Sequence, residues 1–341
     1  MNLLVPFGKL YGLVMDIRNR LFDRGIFKSA DLGARTISVG NLTTGGTGKT
    51  PLVALIAEIL IENNENVCIL TRGYGRMNPK TRVLVCDGEK VLVDPIEGGD
   101  EPVELAYKLN GKAVIVADAD RVAAAKWARK RFGVTVFILD DGFQHRRAKR
   151  DLDIVCVDAT NPCGNGHILP AGSLRESFRC IERAGAVVIT RADQSTSLDA
   201  LQQKLEGRNT RASIFRARTE LLSLTRLSEH GSVANYVCGK DRRKYFAFSG
   251  IGNPENFFAT LRNNDFELTG VSSFPDHHRY IQRDIDRVES EAKKQNADAL
   301  LTTPKDAVKL TELKFELPCC VVNTNIVIND PEAFRRLLIS S

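Results

Sequence analysis

The sequence has no long hydrophobic run and no C-x-x-C pair of cysteines. In 341 residues, no apolar stretch approaches the ~20 residues that a membrane-spanning helix requires. The spacing of the eight cysteines, one of which is Cys238, argues against a structural zinc site and favours buried thiols in a reducing compartment. The sequence also has no internal repeat and only one tryptophan. These features argue against a helical membrane protein, a zinc ribbon and a repeat array.

The composition is ordinary for a soluble globular protein. Hydrophobic residues make up 43% and charged residues 26%, and the length suits about two domains with a sizeable core. The net charge of +6 favours an anionic partner, and a nucleotide, an anionic lipid or a nucleic acid would each satisfy it.

The stretch from Gly40 to Thr50 is typical of a phosphate-binding loop. An apolar run predicts a buried strand before it, and the apolar spacing after Pro51 predicts a helix. Loop N–H groups and the helix dipole would hold phosphates, while the terminal Gly-Lys-Thr would bring a lysine to the β- and γ-phosphates and a hydroxyl to Mg²⁺. Thr43 stands where the usual pattern has glycine, and the alternative is a glycine-rich turn before an ordinary helix. We expect nucleotide contacts from Thr43, Thr44, Gly45, Gly46, Thr47, Gly48, Lys49 and Thr50.

A second acidic pattern follows a β-branched apolar run. Residues 134–139 predict a buried strand that ends in Asp140 and Asp141, as in the Walker B strand of P-loop enzymes, whose aspartate holds Mg²⁺. The carboxyl end of a parallel strand opens on the ligand crevice, so Gln144 and His145 would also face the site. The alternative is a chance acidic cap on a strand.

Two further polar clusters are candidate functional groups. Asp100 and Glu101 follow paired glycines at a predicted helix start, where they either supply a base or metal ligand or simply favour the helix dipole. His277 lies in an Asp-His-His sequence at the end of another predicted strand, and a histidine there is suited to tune a carboxylate base. Lys305-Asp306 lacks the spacing of a guanine-reading N-K-x-D element, and its role stays open.

The basic segments have two interpretations each. Two glycines at 73 and 75 allow a tight turn that presents Arg72, Tyr74 and Arg76 either to phosphate or to solvent as a basic surface loop. Residues 3–28 carry apolar side chains at helical spacing with lysines and arginines between them. Such a helix either lies in a membrane interface near anionic headgroups or packs on the core of its own domain.

Strands and helices alternate along the chain, which predicts an α/β fold. We expect a P-loop NTPase-type, mostly parallel sheet with helices on both faces, a second smaller α/β lobe, and an N-terminal amphipathic helix. The expected parts are the N-terminal helix at 1–30, a phosphate-loop domain at 31–212, and a smaller α/β domain at 213–341 that closes over the site.

Together these segments resemble the tetraacyldisaccharide 4′-kinases of lipid A synthesis. The irregular entry of the phosphate loop is itself a trait of that family. The resemblance is carried by Gly40-Asn41, Gly45 to Thr50, Arg72 to Arg76, Gly99 to Pro102, Asp140 to His145, Pro170 to Gly172, Leu174 to Glu176, Gly250 to Pro254, Asp276 to His278 and Lys305 to Val308.

The resemblance implies transfer of phosphate from ATP, with Mg²⁺, to the 4′-hydroxyl of a tetra-acylated glucosamine disaccharide 1-phosphate. It also implies a peripheral position at the cytoplasmic face of the bacterial inner membrane, reached through the N-terminal helix. We expect a monomer with no nucleic-acid partner. The rival function is a P-loop GTPase or targeting switch, which would carry an N-K-x-D element.

Family roles carry over to single positions of this chain. Asp100 would be the base for the sugar hydroxyl, oriented and tuned by His277. The Mg²⁺-facing set would be Thr50, Glu101, Asp140 and Asp141, with either aspartate as the direct ligand. Substrate contacts would come from Arg72, Tyr74, Arg76, Gln144, His145 and Arg175.

Overall fold

The computed structural model describes residues 3–227 and 243–340, and the cysteine at position 238 lies outside them. The strands are β1 (Arg35–Asn41), β2 (Val67–Thr71), β3 (Val83–Asp87), β4 (Val114–Ala117), β5 (Val136–Asp140), β6 (Leu152–Asp158), β7 (Ala186–Thr190), β8 (Ser213–Arg226), β9 (Lys244–Ser249), β10 (Glu267–Ser273), β11 (Ala299–Thr302) and β12 (Cys319–Ile328). The helices are α1 (Val5–Asp23), α2 (Lys49–Glu62), α3 (Pro95–Gly98), α4 (Asp100–Lys108), α5 (Arg121–Phe132), α6 (Leu198–Arg208), α7 (Pro254–Asn263), α8 (Gln282–Lys294), α9 (Pro304–Ala307) and α10 (Pro331–Ser340).

The strands form one twelve-stranded sheet in the order β10-β9-β11-β12-β8-β7-β6-β1-β5-β2-β4-β3. Neighbouring strands are parallel except for the antiparallel pairs β12/β8 and β3/β4. The phosphate loop follows β1, which lies between β5 and β6. The carboxyl ends of β1, β2, β4, β5, β6 and β7 therefore meet at one edge, where parallel sheets bind ligands.

Both faces of the sheet are covered, as the near-continuous apolar strands predict. Along β2, Val67 and Ile69 pack into one core cluster with residues of α2 and α4. Cys68 and Leu70 point to the other face and pack with alanines of α5. The predicted α/β class, with its mostly parallel sheet and its N-terminal helix, is confirmed.

Strands β8 and β12 join the two predicted lobes. The start of β8 pairs with β7 and most of its length pairs with β12, so the sheet continues across the predicted domain boundary at residue 212. Phe215, Ile326 and Phe334 also belong to the core cluster that contains Val53 and Leu60 of α2. The division at 212 stays a prediction, and this shared core couples the two parts mechanically.

The predicted N-terminal helix is present as α1, and one side of it docks on the body. Gly8 and Gly12 are buried against Ile168, and a Cβ at Gly8 would lie 2.6 Å from the Ile168 carbonyl oxygen. The amide of Asn19 is buried and donates to Glu176. The apolar side of the helix is exposed at Phe7, Leu10, Tyr11, Leu13, Val14 and Ile17, as are Leu3 and Leu4 just before it. In residues 3–227 and 243–340, no helix has the length and hydropathy of a membrane span.

Candidate active site

The phosphate loop is held by neighbouring segments rather than by a glycine at its entry. Thr43 forms an isolated antiparallel bridge with Leu174, and the N–H of Thr44 donates to the Ser173 carbonyl at 2.7 Å. Asn41 donates to the hydroxyl of Thr47 at 2.8 Å. In the usual pattern a glycine shapes the backbone at the position of Thr43. Here the bridge to Leu174 fixes that backbone, which explains how threonine is accommodated there.

Glycine is required where the loop turns into α2. Gly45 has φ of 104° and Gly48 has φ of 79°, in the left-handed region that other residues rarely adopt. The helix then begins directly at Lys49, so its N-terminal N–H groups and its positive dipole end face the loop. The loop therefore has the backbone geometry of an anion site.

Asp140 and Asp141 end β5 beside the loop. Asp141 accepts from Arg175 at 2.6 Å, and its other oxygen lies 3.6 Å from the Lys49 ammonium. Burial raises the pKa of Asp141, but the charges of Lys49 and Arg175 outweigh it and hold the pKa below its ordinary value. Asp140 is buried and accepts from the Thr71 hydroxyl. Its pKa is raised to about 6 by burial and by the like charges of Glu101 and Asp141.

Asp100 begins α4 and is in contact with groups from the far part of the chain. Its Oδ2 lies 3.1 Å from Nδ1 of His277 and 3.5 Å from the Lys309 ammonium. Burial raises the pKa of Asp100, but the hydrogen bond with His277 and the charge of Lys309 outweigh it, and the pKa lies below its ordinary value. The same hydrogen bond raises the pKa of His277. The Tyr74 ring stacks on His277 with centroids 6.3 Å apart.

Glu101 is paired with a lysine from α9. The Lys305 ammonium lies 3.3 Å from Glu101 and 3.1 Å from Asp276. With Glu101 held in this way and Asp141 paired to two cations, the predicted Mg²⁺-facing residues do not form a ready cluster. Across the described ranges, no three acidic, histidine or cysteine side chains are gathered as a metal site.

Arg72 and Tyr74 are exposed on their loop, whereas Arg76 is buried. The Arg76 guanidinium donates to the backbone carbonyls of Pro79, Thr81 and Ala117. These bonds to its own loop and to the end of β4 give Arg76 a structural role, and its contact with substrate stays a prediction.

Gln144 and His145 lie beside the loop after β5. Gln144 donates to the Asn41 carbonyl at 2.9 Å. His145 Nε2 is buried and forms no hydrogen bond with the described part of the chain. Burial and the nearby charges of Arg121 and Arg147 lower the pKa of His145 to about 4, so its imidazole is neutral at physiological pH.

Several groups of the site have no local sequence motif. Lys309 is buried between Asp100 and Asp306, 3.2 Å from the latter. Arg121 is buried within the electrostatic influence of Asp140 and Asp141. Both cations come from helices or turns whose sequence is unremarkable, and only the tertiary fold brings them to the carboxylates.

The arrangement suits phosphoryl transfer. A backbone anion site with a lysine lies beside paired aspartates. Asp140 is electrostatically coupled to Glu101, the neighbour of Asp100, which connects these groups to Asp100. Asp100 is ionised, partly enclosed and oriented by a histidine, which are the properties of a general base. Positioning and charge neutralisation are what phosphoryl transfer requires.

Comparison with known proteins gives one family. The model of the LpxK family, tetraacyldisaccharide-1-phosphate 4′-kinase, matches residues 1–341. The tetraacyldisaccharide 4′-kinase of Syntrophus aciditrophicus is 38% identical, over 99% of this chain and 92% of the relative. That of Geobacter metallireducens is 40% identical, over 88% of this chain and 86% of the relative.

A solved structure gives the same result. The crystal structure of LpxK from Aquifex aeolicus in complex with ATP superposes with a TM-score of 0.80 at 33% identity, covering 99% of this chain and 98% of the other. The geometry of the site and the matches over nearly the whole chain indicate the same family. The chain therefore belongs to the tetraacyldisaccharide 4′-kinase family of lipid A biosynthesis and is a phosphotransferase.

Proposed function

We propose that the chain transfers the γ-phosphate of ATP to the 4′-hydroxyl of a tetra-acylated glucosamine disaccharide 1-phosphate. The observation that carries this proposal is the pairing of Asp100 with His277 and Lys309 at the sheet edge that also presents Lys49 and Asp141. A base and a phosphate site on one edge are what transfer to an alcohol needs.

The phosphates of ATP would lie on the loop from Thr43 to Thr50. The loop N–H groups and the N-terminus of α2 donate hydrogen bonds, and the Lys49 ammonium neutralises charge on the transferring group. Arg175 keeps Asp141 in place through its 2.6 Å contact, which leaves Lys49 oriented toward the loop. ATP accompanies the Aquifex aeolicus relative in its crystal structure, which supports this assignment.

The acidic groups fit Mg²⁺ in their chemistry. Asp141 Oδ1 is buried and accepts no hydrogen bond from the described residues, and Asp140 lies near the like charges of Glu101 and Asp141, whose repulsion a cation would relieve. Mg²⁺ commonly takes only one or two protein carboxylates together with phosphates and water. Thr50, Glu101, Asp140 and Asp141 would hold it, and it would supply charge neutralisation at the phosphates.

Asp100 would accept the proton of the sugar hydroxyl as the new oxygen–phosphorus bond forms. His277 orients the carboxylate, and the ionised state of Asp100 keeps it ready as an acceptor. His277 and Lys309 belong to the 213–341 part, so its closure over the site would complete the base and exclude water. Arg72, Tyr74, Gln144, His145 and Arg175 would border the sugar and its 1-phosphate.

The apolar side of α1 would lie in the membrane interface, at the cytoplasmic face of the inner membrane. A four-chain lipid stays in the bilayer, because each buried CH₂ is worth about 0.8 kcal/mol. The exposed Phe7, Leu10 and Val14 would enter the acyl boundary while lysines and arginines of the helix meet anionic headgroups.

A labelled-ATP assay tests the proposal. The full chain is given ATP and either the lipid disaccharide 1-phosphate or a water-soluble glucosamine disaccharide. We expect label in the lipid and little nucleotide turnover without it. ATP or GTP hydrolysis that is indifferent to the lipid would instead support the switch-type P-loop protein.

Asp100→Asn separates the base from the nucleotide site. The variant keeps the size of the side chain but loses the basic carboxylate, so we expect kcat to fall by a factor of ~10²–10⁴ while ATP affinity is largely kept. Kinetics and equilibrium ATP binding are measured on the same preparation. Near-normal turnover would remove Asp100 from the chemical step.

A further inference from the structure

The end of β7 contacts the phosphate loop on the side away from β5. The Thr190 hydroxyl donates to the Thr47 carbonyl at 2.9 Å, and the Arg191 guanidinium donates to the Gly46 carbonyl at 2.7 Å. These bonds run from side chains to loop carbonyls, so they do not themselves occupy any loop N–H group. The end of β7 therefore lies next to the phosphate loop along the same sheet edge.

The Arg191 side chain is held at two points. Its other terminal nitrogen forms an ion pair with Asp158 at the end of β6. The residue has φ of 53°, a left-handed conformation that is unfavourable for residues other than glycine. The strained backbone and the bonds on both sides hold the guanidinium in one orientation. It therefore forms a flat, pre-organised cationic plane next to Gly46. Such planes stack on nucleobases.

Asp193 follows two residues later, in a short 3₁₀ turn over Ala192–Gln194. Its side chain is exposed, unlike that of Asp140 near Lys49, which is buried. An ionised carboxylate is an acceptor only, so at this edge it is suited to an amino group of a ligand. Arg191 and Asp193 thus offer a stacking plane and an acceptor close to one another on the same turn.

The distance along the sheet matches a nucleotide. β7 lies two strands from β1, with β6 between them, which is about 10 Å at ordinary strand spacing. With phosphates on the loop after β1, the nucleoside would extend over β6 toward β7. The order Thr190-Arg191-Ala192-Asp193 also has the spacing of N-K-x-D, with threonine for asparagine and arginine for lysine. A search for the literal N-K-x-D letters misses it.

We propose that Thr190 to Asp193 form the base-binding part of the nucleotide site. Arg191 stacks on the adenine ring, and the Asp193 carboxylate accepts a hydrogen bond from the 6-amino group. Thr190 fixes this turn to the phosphate loop, so that base and phosphates are held in one register. The inference rests on the proposed function, because phosphates on the loop define where the base lies.

The test compares ATP with purine riboside triphosphate, which lacks only the 6-amino group. Equilibrium binding of each is measured for the full chain, for Asp193→Ala and for Asp199→Ala. Asp199 is a matched control, because it is an exposed aspartate on α6 that pairs with Arg216 instead. We expect the unaltered protein and the control to bind ATP roughly 10- to 100-fold more tightly than the analogue. Asp193→Ala should bind the two nucleotides about equally, with little change for the analogue.

The outcomes separate this inference from the nucleotide site itself. Equal binding of both nucleotides by the unaltered protein, or an undiminished preference in Asp193→Ala, overturns the role of Asp193 and leaves the phosphate site standing. Binding of neither nucleotide overturns the inference and the proposed function together. Tighter binding of GTP than of ATP would overturn the assignment to adenine.

Discussion

At the scale of single residues, Lys309 decides the charge state of the proposed base. It is the buried cation between Asp100 and Asp306, and two charges about 4 Å apart interact by several kcal/mol near a protein surface. In Lys309→Met we expect the pKa of Asp100 to rise, because a cation that lowers it is gone. The acidic limb of the kcat profile should then move to higher pH by about one unit or more.

The control for this prediction is Lys309→Arg, which keeps the charge and should keep the acidic limb. ATP KM should change little in either variant, because Lys309 contacts no part of the phosphate loop. A uniform loss of kcat at every pH, with the acidic limb unmoved, would give Lys309 a structural role only.

His277 makes the stability of the protein depend on pH in a defined direction. Its hydrogen bond with Asp100 raises the pKa of the imidazole above 6.5, with burial and Lys305 opposing and Asp276 assisting. A raised histidine pKa adds stability that is fully present below 6.5 and is lost as the pH rises through the folded value. In urea unfolding, His277→Asn should therefore be most destabilised relative to the unaltered protein near pH 6, and much less so at pH 9.

His167→Asn is the control, since this histidine is exposed on the loop after β6. Its stability difference should not vary in the same way between pH 6 and pH 9. A His277→Asn deficit that is constant with pH, or larger at pH 9, would contradict the charged pairing with Asp100.

The site residues that could be predicted from sequence share one property. The phosphate loop and the acidic ends after β5 and before α4 are contiguous motifs in which several functional groups are neighbours in the chain. Arg121 and Lys309 are single cations that the fold brings to carboxylates elsewhere in the chain, Asp140 and Asp100, and a lone cation has no local pattern that marks it as functional. Arg76 shows a related limit, because a basic motif cannot reveal that its guanidinium bonds to carbonyls of its own loop and of Ala117 in β4.

At the scale of elements, α1 has an exposed apolar side that can be altered without disturbing the docked side. Deletion of the helix would also remove Asn19, whose amide is bonded to Glu176, so substitutions are the sharper test. Phe7 and Leu10 are each 61% exposed. Because burial of each such side chain is worth about 1.5–3 kcal/mol, Phe7→Ser with Leu10→Ser should lower partitioning onto phosphatidylglycerol-containing vesicles by a hundredfold or more.

Leu222→Ser is the matched control, because Leu222 is 62% exposed on β8. It should leave vesicle binding unchanged, and all variants should keep their ATP affinity. Unchanged vesicle binding in the double variant would mean that the apolar side of α1 is not a membrane contact.

The elements that could be predicted are those whose pattern is local. Strands β1, β2 and β5 are short runs with apolar centres next to glycine or acidic residues, and their burial follows from composition. β8 carries many exposed or half-exposed polar residues, and it is a strand because it pairs antiparallel with β12 across about 100 residues of chain. That pairing depends on the tertiary fold, and the hydrophobic period of neither segment is strong enough to predict it.

At the scale of the whole molecule, the shared core predicts that the chain unfolds as one unit. Phe334 of α10 is fully buried and packs edge-on against Phe215, in the same cluster as α2. Its removal would leave a cavity that costs about 3–5 kcal/mol. If residues 31–212 and 213–341 unfolded independently, a change in α10 would leave much of the first part unaffected.

The single tryptophan reports on this question, because Trp127 lies in α5 on the far side of the phosphate-loop part. In Phe334→Ala we expect Trp127 fluorescence and the far-ultraviolet circular dichroism to lose their signals in one coincident transition, at a lower urea concentration than in the unaltered protein. Phe258→Ala removes an equally buried ring from the core beneath β9 and α7, and one cooperative unit requires the same coincident shift. A circular dichroism transition that moves while the Trp127 transition stays in place, in either variant, would show that the lobes unfold separately and that β8 is the seam between them.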